Sequence, residues 1–168
     1  SQDAQSYIKV SKQMADNLGI SNAFDATLLQ SFESNVNNID SLVNIIDIAY
    51  KNADKFLRSN DRVKTAALVL AGGWIEGLYV STQIIGDQKR TDANEKLFVS
   101  IGEQKFSMKN LLDLLNQYKD NPDHAKLIES LMKVNDVFDS VAAPSKIIPM
   151  QVRKIAEVIA ELRNQITS

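Results

Sequence analysis

Apolar residues recur along this chain at steps of three and four, the period of helices that each bury one face. The longest run is Phe32, Val36, Ile39, Val43, Ile46, Tyr50, Ala53 and Leu57. Its spacings alternate four and three without a fault, which is a heptad seam. It predicts one long helix over residues 25–58, bent near Asn37-Asn38. Ahead of it, Ile8, Met14, Ala15 and Leu18 predict a first helix that stops at Gly19, a residue suited to left-handed backbone. Ser59-Asn60-Asp61 reads as a turn and N-cap cluster.

The second half repeats the pattern. Asp92, with Glu95 three residues on, reads as the capped start of a helix. That helix is expected to break at Gly102 and restart at Ser107, where Phe106 and Leu111 hold the two positions of a hydrophobic staple. The restarted helix carries Leu111, Leu112, Leu115 and Tyr118. Asn121 as N-cap and Pro122 at the first helical position open a further seam of Leu127, Leu131, Val134, Phe138 and Val141. Residues 142–148 form a linker containing Pro144, and Pro149 opens a last seam of Val152, Ile155, Ile159, Leu162 and Ile166. Strand-like alternation is absent. The helices differ too much in length for a solenoid repeat. The fold expected is all-α: an elongated, mostly antiparallel bundle of about five to seven helices.

One stretch departs from the one-faced rule. Residues 66–85, AALVLAGGWIEGLYVSTQII, are apolar nearly all round a helix and carry one charge, Glu76. A helix of that kind lies in a bundle core or in a membrane. Glu76 at its centre would cost roughly 2.5–3.5 kcal/mol in mid-bilayer, and its neighbours are amphipathic, so a buried central helix is the reading preferred. Gly73 and Gly77 stand in a small-xxx-small spacing that lets another backbone come close. Glycines beside large side chains also leave hollows. Gly72, Glu76, Tyr79 and Gln83 form a polar stripe next to that apolar one. With Trp74, the only tryptophan, they make Trp74, Glu76, Tyr79 and Gln83 the candidate ligand-binding residues. The competing reading is structural: a hydrogen-bond network that fixes bundle register, with Glu76 paired to an Arg or Lys from another helix.

Composition narrows the chemistry. At 168 residues the chain is long enough for a core without staples, and one domain over residues 1–168 is expected. There are no cysteines and one histidine, which removes disulfides, thiolate chemistry, HExxH zinc sites and multi-histidine metal clusters. His124, beside Asp123 in a first helical turn, reads as a surface residue. A formal net charge of −2 without a basic face argues against nucleic-acid binding. Arg58, Arg62 and Lys64, and Lys89-Arg90, read as solvated charges at helix ends. Gly72-Gly73 interrupts a helix and so is no phosphate loop, and neither a GxSxG elbow nor a di-iron Glu-x-x-His set is present. The expectation is a non-enzymatic chain with no catalytic residues, metal or cofactor.

The segments AGGWIEGLYVSTQ and IGEQKFSMKNLLDLL resemble the mature region of all-helical lipoproteins of Gram-negative bacterial envelopes. The resemblance covers about half the chain and rests on no catalytic motif. It implies a signal peptide and a lipid-bearing cysteine upstream of Ser1, hence a periplasmic, lipid-anchored protein that meets the membrane only through that anchor. The function expected is an envelope-associated domain that binds a protein partner or a small-molecule ligand. The alternative is a ligand-sensing bundle of a signalling protein.

Overall fold

The structure, a computed structural model, describes residues 2–21 and 25–168, with backbone alone at residues 2–5 and 8. Every regular element among them is helical: α1 (Gln2–Asn17), α2 (Ala26–Ser34), α3 (Ile39–Ser59), α4 (Val63–Ile85), α5 (Glu95–Asn116), α6 (Pro122–Asp139) and α7 (Pro149–Thr167), with one 3-10 turn at Pro144–Lys146. The all-α bundle read from periodicity is therefore the fold. The contacts gather into two compact units, Ser1–Ala66 and Ala67–Ser168.

In the first unit the caps fall where small polar residues stand. Gly19 closes α1 with φ +65°, as expected. The place of Ile8 on that helix lies outside the described side chains. The long helix over residues 25–58 is two helices. The Asn35 amide N–H closes α2 on the Phe32 carbonyl. Asn38 then caps α3, its Oδ1 accepting from the Ser41 amide at 3.1 Å. Asparagines that bond their own backbone compete with helix continuation, so the Asn-rich step between the two breaks the helix instead of bending it. The heptad seam is only half used. Ala53 and Leu57 are buried, while Ile39, Val43, Ile46 and Tyr50 stand exposed. α3 buries Ile45 instead, from beside the seam.

The second unit is a dense four-helix arrangement around one core. α6 packs on both α5 and α7. α4 meets α5 through Trp74 and Gln104, and α7 through Glu76 and Arg163. The α6 and α7 seams enter the core as expected: Leu131, Val134, Phe138, Val141, Val152, Ile155 and Ile159 are all fully buried. Each such side chain contributes about 1.5–3 kcal/mol relative to exposure. Leu127 is half-buried at the edge, and Ile166, past the end of the core, is exposed. Asn121 caps α6 by accepting from the Asp123 amide at 2.9 Å.

α5 departs from expectation at both marked places. It begins at Glu95 after Asn94, whose Oδ1 accepts from the Thr91 amide; Asp92 caps nothing. It also runs straight through Gly102. That glycine is buried, and a Cβ there would lie 2.6 Å from the Pro144 carbonyl oxygen and 2.8 Å from Pro144 Cα. Its missing side chain admits a neighbouring backbone and does not end the helix. No staple forms, because Phe106 is exposed.

The chain admitted by Gly102 is a strap, residues 141–148, pinned to α5 along its length. Lys105 Nζ donates to the Val141 carbonyl at 2.9 Å. Arg90 donates to the carbonyls of Ser145 and Ile147, forks onto Glu95, and lies 5.7 Å above the Phe98 ring. Arg90 is thus a structural clamp and not a solvated helix-end charge.

Candidate functional site

α4 buries one side only. Ala67, Ala71, Ile75, Leu78, Thr82 and Ile85 face the core, three and four apart. The opposite side is open, so that 28% of the most apolar stretch of α4, counted all round the helix, is buried. Thr82 is accommodated by donating its hydroxyl to the Tyr79 carbonyl of its own helix at 2.8 Å. The apolar ring read from sequence is therefore a buried face plus an exposed apolar one. By length and composition α4 alone among the described helices could cross a membrane. Its core face already packs on α5, α6 and α7 residues.

The four candidate residues divide between two edges of α4. Trp74 lies on the α5 edge. It is half-buried, and its Nε1–H donates to Gln104 Oε1 at 3.0 Å. Gln104 is itself held, its Nε2 donating to the Ser100 carbonyl at 3.2 Å. Between them is a half-open groove of about 280 Å³ lined by Trp74, Gly77, Leu78, Ser81, Ser100, Ile101 and Gln104. Gly77 is part of that lining, and a Cβ there would have nothing within 4 Å. The glycine hollow beside a large ring anticipated from sequence is present.

Glu76 and Tyr79 lie on the α7 edge. Arg163 Nε donates to Glu76 Oε2 at 2.6 Å and Nη2 to Oε1 at 3.3 Å, while the guanidinium sits 4.7 Å above the Tyr79 ring. The hydrogen bonds to Glu76 hold the Arg163 guanidinium above its ordinary pKa. This is the structural network read as the competing possibility, with the cation now identified. A forked Arg–carboxylate stacked on a phenol fixes the register of α4 against α7. Gln83 is exposed beyond it. Trp74 and the Glu76–Tyr79 pair therefore do not converge on one ligand.

Sequence reasoning missed Ser100 and Gln104, which come from the α5 face opposite Trp74 and carry no local motif. It also misplaced His124, which is fully buried. The α6 seam explains this: counted backwards from Leu131 and Leu127, the next step of three lands on His124. Among the described residues neither ring nitrogen meets a hydrogen-bond partner, and the imidazole packs edge-on to Tyr118 with centroids 5.8 Å apart. Among the described residues no cluster of His, Asp and Glu could hold a metal ion.

No family model, curated protein or solved structure matches this chain.

Proposed function

We propose that the protein is a non-enzymatic helical binding domain of the bacterial envelope, and that the Trp74 groove is its binding point. The observation that carries this reading is the groove itself: an indole whose N–H is already held by Gln104, beside Gly77, whose missing side chain leaves open space. Its volume, about 280 Å³, falls just below the roughly 300–1,000 Å³ typical of sites for whole small-molecule ligands. Half open, it suits one aromatic or branched aliphatic group, from a small ligand or from a partner protein. Ser100 lines the groove and offers a hydroxyl to a polar atom on that group, while the Ser81 hydroxyl already donates to the Gly77 carbonyl at 2.7 Å and is left to accept. The envelope assignment rests on the lipoprotein resemblance of the Trp74 segment.

Trp74 fluorescence tests the site. Acrylamide is expected to quench it readily, and small apolar amides or indoles to shift its emission in a saturable way. Gly77→Leu, which fills that space, is expected to abolish the shift while leaving the fold intact. A signal that acrylamide cannot reach would show dry packing and defeat the proposal. Fractionation of the full-length protein tests the envelope assignment.

A further inference from the structure

The hydrogen bonds already made around the Trp74 groove decide which polar groups are left for an occupant. None of the lining residues carries a charge. Leu78 and Ile101, both buried, give the groove an apolar wall. On α5, the exposed Ser100 hydroxyl meets no partner among the described residues. One turn further on, Gln104 Oε1 accepts from the Trp74 N–H, and Nε2 donates one hydrogen to the Ser100 carbonyl. A glutamine amide has two hydrogens on that nitrogen, so one N–H is left over. Residues four apart on a helix are neighbours, so two unused donors stand side by side. On α4, the Ser81 hydroxyl donates to the Gly77 carbonyl at 2.7 Å and has only lone pairs left. The α5 side of the groove therefore offers hydrogens, and the α4 side offers an acceptor.

We infer that the groove selects an uncharged amide carried on an aromatic or branched aliphatic body, the carbonyl accepting from Ser100 and Gln104 and the amide N–H donating to Ser81. This rests on the Trp74 groove being the binding point, and adds the chemistry that chooses its occupant. A carboxylate would find the donors but no cation in the lining, since Arg163 lies on the other edge of α4 and is held by Glu76. An ammonium would meet hydrogens on α5 and no carboxylate. Either ion would shed water without gaining a counter-charge. A bare hydrocarbon would cover the free donors and leave them unpaired. The same amide occurs in a free carboxamide and in the peptide bond beside an apolar residue.

Titration of Trp74 emission with phenyl probes that do not absorb where indole is excited tests the selection. Phenylacetamide should bind about tenfold more tightly than phenylacetate or phenethylamine. Ser100→Ala should weaken phenylacetamide by about threefold to tenfold, the worth of one hydrogen bond, and leave toluene unchanged. Gln104→Glu keeps an oxygen for the Trp74 N–H but replaces the free donor with a charged acceptor. It should reverse the order, so that phenethylamine binds more tightly than phenylacetamide. Between phenylacetamide and N-acetylphenylalaninamide, the tighter probe names the source, a free carboxamide or a peptide. Binding that Gly77→Leu abolishes but that favours an ion overturns the amide assignment and leaves the groove reading standing. So does binding of phenylacetamide that is indifferent to both Ser100→Ala and Gln104→Glu. No saturable shift with any probe overturns both.

Discussion

α3 and α6 carry seams of the same kind, and the two compact units treat them differently. The α6 seam, Leu131, Val134, Phe138 and Val141, lies wholly in the core of the second unit. The α3 seam leaves Ile39 77% and Val43 60% exposed, with Ile46 and Tyr50 not far behind. α1 does likewise with Tyr7, Val10 and Met14. The described core of the first unit is small, holding Ala15, Ile20, Ile45, Ala53, Leu57 and Ala66. The second unit gathers side chains from α4, α5, α6, α7 and the strap into one cluster. A 3.5-residue period thus reports that a helix has a face to bury. Whether a partner helix meets it depends on contacts distant in sequence, which the period does not encode.

The sharpest way to break this contrast is to hollow the denser core. Phe138→Ala is expected to cost about 3–5 kcal/mol, read as a fall in the denaturant midpoint. In native-state hydrogen exchange the α5–α7 amides should lose most of their protection. Amides of α1–α3, opening through local fluctuations already, should change little. Equal protection across both units in the unaltered protein would refute the contrast.

Gly102→Ala comes next. The change gains about 1 kcal/mol of helix propensity, yet its Cβ meets backbone, not a flexible side chain. A net loss of about 1–3 kcal/mol is expected; a gain would mean that the strap can lift away freely.

A smaller effect is expected at the Arg90 clamp. The hydrogen bond from Arg90 holds the Glu95 carboxyl below its ordinary range. A carboxyl depressed in the folded chain contributes stability above its unfolded pKa and loses it as pH falls through the folded value. Glu95→Gln should therefore flatten the acid limb of a stability–pH curve, below about pH 4.5, the ordinary glutamate value. An unchanged limb would show the clamp to be idle.

Val43→Ser should do least. At an exposed seam position the change is expected to stay within about 0.5 kcal/mol, and a loss above about 1.5 kcal/mol in a thermal melt would mean that the α3 face is covered in solution.

Much of the fold was legible because the signals were local. Asn121-Pro122 and Pro149 opened α6 and α7 where capping rules place them, and Gly19 and Gly86 closed α1 and α4 with positive φ. The errors came from residues whose role is set by a distant neighbour. Gly102 reads as a helix breaker until Pro144 lies against it. Arg90 reads as a solvated end until the strap carbonyls arrive. His124 reads as a surface residue until Tyr118 covers it. At the candidate site, the small-residue hollow beside Trp74 was visible in the glycine spacing. The division of Trp74 from Glu76 and Tyr79 was not, since it depends on which neighbouring helix supplies Gln104 and which supplies Arg163.

Residues 141–148, with their alanines, serine and proline, look like a stretch a protease would nick or a tag would tolerate. To be cleaved, a segment must be drawn out as extended chain into a foreign cleft. Here that would free Val141 and Ile147 from full burial and strip carbonyls from Lys105 and Arg90. The strap is therefore a poor place for cutting or grafting, and the exposed run Gly86–Lys89, which closes α4, is the better one.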